Sequence, residues 1–199
     1  MDNHYVITIS REFASLGRSI AQLTAKELGI YYMDRDIVEE TAKRLGLPVS
    51  EIGESEERVS NRFLYRKFPL GRAPKTLEDE IFQVQSNIIQ DTAASRDCII
   101  VGRCAESVLR NRTRRLSIYI RAPYEARLRN CIESLEMDYS TAERMIHDVD
   151  LARERYRERY VYELKDEFTD RDIIMDSSAF GVEGTAALIA AMARARFNL

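Results

Sequence analysis

Cysteine, histidine and glycine are all scarce in this chain of 199 residues, which holds three, two and eight of them. Cys98, Cys104 and Cys131 form neither an even set nor a C-x-x-C spacing, and His4 and His147 lie far apart, which argues against a disulfide framework and a structural zinc. No apolar run approaches the ~18 residues of a membrane span. The opening MDNHYVITIS carries no basic stretch ahead of a long apolar one. The expectation is a soluble, cytoplasmic protein with no membrane partner. Charge of one sign is lacking too: 30 basic against 33 acidic side chains leave a net charge of −3, so no overall field favours nucleic acid. Any basic site has to be local.

What is present suffices for one well-cored domain over residues 1–199, since 45% of the chain is hydrophobic. Short apolar runs at Tyr5–Ile9, Cys98–Val101, Leu116–Ile120 and Asp172–Met175 alternate with helical patterns, which predicts an α/β fold with a parallel sheet. Helical spacing links Ile20, Leu23 and Leu28; Ile37, Thr41 and Leu45 ahead of Gly46; and Leu77, Ile81, Val84 and Ile88. It returns in Leu128, Ile132 and Leu135, and in Val182, Ala186, Ile189 and Met192. Ser140 with Glu143 reads as a capping box before Met145, Ile146 and Val149.

The stretch VITISREFASLGRSIAQLTAKEL is the sharpest functional signal: an apolar strand, a turn ending in Gly17-Arg18-Ser19, then an amphipathic helix. That order is the framework of a phosphate-binding P-loop, in which backbone N–H groups at a helix start meet phosphate oxygens. Arg18 stands where the motif has Lys, Ser19 on the Mg²⁺ position, and Glu12 where the first Gly belongs. Ala14, Ser15 and Leu16 make the turn poor in glycine, and each Cβ restricts positive φ. A plain strand-turn-helix corner explains Gly17 as well as a phosphate cradle does.

Two segments depart from core patterning. Pro48 to Lys75, broken by Gly53, Pro69, Gly71 and Pro74, reads as a surface excursion whose Arg66, Lys67, Arg72 and Lys75 form either a phosphate-facing cluster or a solvated face. In Asp150–Lys165, Arg153 with Arg157 and Arg155 with Arg159 line up two arginine ridges on a helix, with Glu154 and Glu158 permitting ordinary ion pairs. Asp34-Arg35 ends the second strand after Ile30-Tyr31-Tyr32-Met33, either facing an acceptor or capping the next helix. Cys104 reads as a packing residue rather than a nucleophile, since neither histidine is placed beside it.

Taken in order, SREFASLGRS, CIIVGRCA, LSIYIRAPYEARLRN and DIIMDSSAFGVEG resemble the cytidylate kinase-like family over nearly the whole chain. The resemblance implies a P-loop nucleoside monophosphate kinase fold of about five parallel strands. It also implies an acceptor-binding region over about 35–95, a lid over about 147–167, and transfer of the γ-phosphoryl of ATP, with Mg²⁺, to CMP or dCMP. It assigns Gly17, Arg18 and Ser19 to the donor phosphates, with the Ser19 hydroxyl on Mg²⁺. It matches Arg103 to a Gly-Arg pair that helps hold the acceptor, and Asp150 with Arg153 to a D-x-x-R element of the lid. With Asp34 and Arg35 read from the strand end, the expected acceptor set is Asp34, Arg35, Arg103 and Asp150, and Arg18, Arg153 and Arg157 neutralise charge during transfer. True cytidylate kinases carry an aspartate where Cys104 stands and a lid arginine where Ile146 stands, and the family's F-G-S-G-G-R turn is here Phe13-Ala14-Ser15-Leu16-Gly17-Arg18. Asp176 matches a D-T/S pattern near the adenine end of the donor site, or caps a turn. A binding module without turnover and a kinase of another small metabolite are the competing functions.

Overall fold

Alternating apolar residues at the centre of the chain build a sheet buried on both faces. A computed structural model of the protein describes residues 3–52, 76–161, 166 and 168–199. Its strands are β1 (Val6–Arg11), β2 (Tyr31–Met33), β3 (Cys98–Val101), β4 (Arg115–Arg121) and β5 (Ile173–Asp176). They form one parallel sheet in the order β2-β3-β1-β4-β5. Val6 pairs with both Cys98 and Arg115, so β1 is the central strand and the chain crosses it between β3 and β4.

The period of two in the strands assigns each face its helices. Ile7, Ile9, Ile99, Val101, Ile118 and Ile120 share a cluster with Ile20, Ala21 and Ala25 of α1 (Gly17–Leu28) and Ala186, Ile189 and Ala193 of α7 (Ser177–Phe197). Val6, Cys98 and Ile100 point to the other face, under α2 (Asp36–Leu45), α3 (Leu77–Ser95) and the short α4 (Ala105–Val108). Complete burial of each such isoleucine contributes about 2–3 kcal/mol, and the fully buried set is dominated by isoleucine. The remaining helices, α5 (Tyr124–Glu133) and α6 (Tyr139–Tyr160), pack on each other through Cys131, Ala142 and Ile146. No described helix is long and apolar enough to cross a membrane.

The start of one helix differs from the sequence reading. The cap of α6 is Asp138, whose Oδ1 accepts from the Thr141 N–H at 3.0 Å and the Ser140 hydroxyl at 2.7 Å. The expected Ser140–Glu143 box therefore does not form, because the helix begins two residues earlier, under Asp138, which leaves Ser140 inside its first turn, and Glu143 accepts from the Tyr124 hydroxyl instead. A true capping box closes α3, between Thr76 and Asp79.

Residues 53–75, with the basic cluster of Arg66, Lys67, Arg72 and Lys75, lie outside the described residues, as do 162–165 and 167. The beginning of the expected excursion belongs to the core. Ile52 is completely buried between Ala42 of α2 and Ile81 of α3, an apolar side chain that a surface loop would have left in water. Ile52→Ala is expected to lower unfolding free energy by about 2–4 kcal/mol in urea denaturation; a loss below ~0.5 kcal/mol would remove Ile52 from the core.

Candidate active site

The carboxyl end of a parallel sheet, where neighbouring strands send their chains to opposite sides, opens a crevice for ligands. Here β1 leads into the loop of residues 12–16 and β3 into Gly102-Arg103, and the two turns face one cleft of about 1650 Å³.

The first turn adopts its shape without the glycines such a turn favours. Ala14 and Leu16 sit at φ 58° and 59°, in the left-handed region, at a steric cost of about 1–2 kcal/mol each. Surrounding bonds hold them there. The buried Ser15 hydroxyl donates to the Glu12 and Ile120 carbonyls, the Ser177 hydroxyl donates to the Ser15 carbonyl at 2.7 Å, and Asn130 Nδ2 donates to the Ala14 carbonyl at 2.8 Å. Glu12, in the place of the motif's first glycine, accepts from the Ala122 N–H at 2.9 Å and so ties the loop to the end of β4. Leu16 contributes no side-chain cap to α1, and the first turn of α1 contains no acidic residue. Its leading N–H groups therefore carry no side-chain cap, and exposed Arg18 and Ser19 lie beside them.

Arg18 Nε donates to Asp34 Oδ2 at 2.5 Å, and the Tyr32 hydroxyl donates to the same oxygen at 3.1 Å. Burial and the Asp34 charge push the Tyr32 phenol up to about 12. Asp34 is thus a partner of the phosphate-loop cation and not a helix cap, since Arg35 precedes α2 and makes no side-chain cap. Arg35 lines the cleft.

The second turn is more strained. Gly102, Arg103 and Cys104 lie at φ 78°, 58° and 51° in succession, and three left-handed residues in a row swing the chain sharply from β3 into α4. Cys104 is buried. Burial first, then the Glu106 charge, push its thiol well above the usual range, so it stays protonated and is no nucleophile.

Arg11, the last residue of β1, stands between the two turns, and the sequence reading missed it. A Cβ on Gly17 would come within 2.8 Å of Arg11 Cβ, and one on Gly102 within 2.6 Å of Arg11 Nη1. Burial, then repulsion from Arg153, Arg103 and Arg18 against the attraction of Asp34, push its guanidinium down to about 9. The available signal was weak: an arginine ending an apolar strand, two residues after Ile9.

Helix α6 crosses the mouth of the loop and meets it at three levels. Ile146, where a lid arginine was expected, is buried and packs with the partly buried Phe13 and Ala14, so this position serves the core beneath the loop. One turn on, Asp150 Oδ1 accepts from the Phe13 N–H at 2.7 Å while its other oxygen takes a charge-assisted bond from Arg127. Arg153 Nη1 then donates to the Arg11 carbonyl at 3.0 Å. Farther along, Arg157 donates to the Thr169 carbonyl at 2.5 Å and lies 3.8 Å from the buried carboxylate of Glu106. The end of α6 docks on α3: Tyr160 stacks on Phe82 with centroids 4.0 Å apart, and Arg159 donates to Asp79 at 2.8 Å.

The structure therefore brings Arg18, Asp34, Arg35, Arg103 and Arg153 to one cleft, while Gly17 is buried against Arg11 and the exposed Ser19 does not line it. It places Asp150 on the loop backbone and Arg157 at the cleft wall against the carbonyls of Asp166 and Thr169. Asp176 caps α7, accepting from the Ser178 N–H at 2.9 Å.

Comparison with known proteins follows this geometry. The sequence profile described as the cytidylate kinase-like family matches residues 6–179. Among solved structures, an uncharacterized protein from Eubacterium ventriosum aligns with a TM-score of 0.72 at 21% identity, over 96% of this chain and 98% of that one. A shikimate kinase from Bacteroides thetaiotaomicron aligns at 0.58 and 10% identity, over 94% and 97% of the two chains. The shikimate kinase from Acinetobacter baumannii, solved with shikimate, aligns at 0.53 and 11%, over 96% and 93%. At these identities the likeness is one of fold, the five-stranded parallel sheet of P-loop kinases. Comparison with curated protein sequences gave no match.

Asp150→Asn retains the shape but loses the charge facing Arg127. Loss of a bond to a charged group predicts destabilisation by about 1.5–3 kcal/mol and faster hydrogen exchange at the Phe13 amide. Unchanged protection at Phe13 would break the assignment of Asp150 as the tie between α6 and the loop.

Proposed function

The chain belongs to the cytidylate kinase-like family, and from that premise we propose that it transfers the γ-phosphoryl group of Mg·ATP to a nucleoside monophosphate, CMP or dCMP first among them. One observation carries the reading: Arg18, in the first turn of the uncapped α1, lines the same cleft as the strained Gly102-Arg103 turn. Phosphoryl transfer asks a protein chiefly to align two phosphates and neutralise their charge, and two facing cationic sites do that. At about 1650 Å³ the cleft exceeds the ~300–1,000 Å³ typical of a single ligand site and leaves room for donor and acceptor together.

In this reading the N–H groups of α1 and the Arg18 fork hold the donor phosphates, and Arg103 holds the acceptor phosphate. Arg18 exchanges Asp34 for phosphate as its partner. Arg153 adds charge from above the loop, and α6 excludes water, which otherwise competes as acceptor. Mg²⁺ fits this donor set: among the described residues no three His, Cys, Asp or Glu side chains group to cage a metal. The exposed Ser19 hydroxyl would supply the protein oxygen to an ion resting mainly on phosphates. Such an ion would supply positive charge that offsets the charge of the phosphates. The cytosine preference rests on the family, because buried Cys104 offers no carboxylate to a base. A cytoplasmic location, where Mg·ATP is supplied, belongs to the same proposal.

A second reading, nucleotide binding without turnover, is favoured by one contact: the Phe13 N–H is already occupied by Asp150. A third, a different small acceptor, takes its interest from the shikimate kinases that share the fold.

ADP release from Mg·ATP, compared across CMP, dCMP, UMP, AMP, shikimate and no acceptor, separates the three. Turnover dependent on CMP or dCMP is expected. Another preferred acceptor would keep the chemistry and change the substrate, and ATP binding with no turnover would favour the binding module. Arg18→Ala is expected to lower kcat/KM for ATP by about 100-fold or more, and Arg103→Ala to act mainly on acceptor KM, each losing about 2–3 kcal/mol of charge-assisted bonding. Unaltered kinetics in either variant would withdraw its assignment. Ala14→Gly with Leu16→Gly, which removes the Cβ atoms at the two left-handed positions, is expected to raise ATP affinity about 5-fold; no gain would show that loop shape does not limit binding.

A further inference from the structure

We propose that Arg11 is a catalytic residue that grips the phosphoryl group in transit between donor and acceptor, an inference that rests on the phosphotransfer reading of the cleft. Three observations meet at this side chain.

The first is position. Arg11 ends the central strand and lies against both turns that define the two halves of the site. Its stem fills the space that a side chain at Gly17 would take, and its guanidinium the space that one at Gly102 would take. The glycine of the donor loop and the glycine of the acceptor turn thus both make room for one arginine, which reaches the line between them.

The second is vacancy. Among the described residues no group accepts a hydrogen bond from the Arg11 guanidinium, although it is half-buried. The neighbouring arginines differ. Arg18 is bound to Asp34, Arg127 to Asp150, Arg157 to the carbonyls of Asp166 and Thr169, and Arg153 spends a donor on the carbonyl of Arg11 itself. That last bond anchors the Arg11 main chain and leaves its side chain available.

The third is charge. Arg153, Arg103 and Arg18 all repel the Arg11 guanidinium, and only Asp34 among its main electrostatic neighbours attracts it. A partly desolvated cation held among cations is costly until an anion joins them. A phosphoryl group is such an anion, with oxygens suited to the planar fork of arginine.

In the step assigned to this site, an oxygen of the acceptor phosphate attacks the γ-phosphorus of ATP. The bond from that phosphorus to the β–γ bridging oxygen breaks, and its electron pair leaves with ADP. Total charge is unchanged and no proton need move, since a monophosphate with a second pKa of about 6 is already a dianion near neutrality. In the loose transition state charge is spread over the equatorial oxygens of the group in flight and grows on the departing bridging oxygen, and a guanidinium placed there in advance stabilises this arrangement more than either ground state.

The test compares wild type with Arg11→Gln and Arg11→Lys. It measures kcat, both KM values, the melting temperature without ligand, and affinities for ADP and for adenosine and cytidine joined by a pentaphosphate. That bridged nucleotide spans the transit position, whereas ADP does not reach it. Arg11→Gln is expected to lower kcat about 100-fold or more with each KM within about 3-fold. It should weaken the pentaphosphate about 30-fold against less than 3-fold for ADP, and leave the melting temperature equal or higher because repulsion is relieved. Arg11→Lys should recover part of kcat. An unchanged kcat overturns the proposal, as does a lower melting temperature with equal weakening of ADP and pentaphosphate, which would make Arg11 a structural strut. If the wild type transfers to no acceptor, the functional reading falls, and Arg11 is judged on pentaphosphate against ADP alone. A wild type that binds neither overturns both.

Discussion

Guanidinium groups of Arg11, Arg18, Arg103 and Arg153 line one cleft where β1 and β3 end, and holding these cations near one another is the constraint on which this end of the molecule depends. Like charges this close persist only when the frame that carries them is stiffer than the force separating them. The frame is the parallel sheet, buried on both faces by isoleucine-rich packing, with β1 at its centre. Asp34 offsets part of the charge through Arg18, and Asp150 does the same one layer out through Arg127.

The phosphate loop shows how glycine can be replaced when tertiary contacts take over its function. A glycine-rich turn reaches left-handed backbone at little steric cost; Ala14 and Leu16 reach it because Ser15, Ser177, Asn130 and Asp150 bind the peptide groups around them. The result is a loop whose shape depends on β4, α5, α6 and α7 together. Such a loop is more rigid than its glycine-rich counterpart, and its outer N–H is spoken for by a carboxylate. The leading N–H groups of α1 keep their dipole without a cap.

Helix α6 joins these parts. Its residues alternate between packing and polar duties at helical spacing: Ile146 under the loop, Asp150 and Arg153 on it, Arg157 at the cleft wall, and Tyr160 on α3. A helix bound at so many levels cannot shift at one without straining the others. Contacts at its far end are therefore mechanically continuous with the Phe13 amide.

The α/β class, the strand positions to within a residue or two, and the phosphate-loop location were legible in the sequence alone, because period-two and period-3.6 patterns and a strand-turn-helix order are local properties. So were the positions of Gly17, Arg18 and Ser19 at the start of the helix that follows β1, and of Arg103 just past β3. What lay beyond reach depended on partners distant along the chain. Asp150 meets Phe13 across 137 positions, and Arg153 meets Arg11 across 142. Ile146 had the spacing of a core residue, but only the packing of α6 beneath the loop put it under Phe13 and Ala14. Arg11 gives no local sign of its setting, since an arginine after a strand is ordinarily solvated. Its surroundings of cations are created only when Gly17, Gly102 and α6 are folded against it. Sequence patterning determined which segments form the frame; tertiary structure decided which charges face one another, because Coulomb interactions act through space and carry no periodicity along the chain.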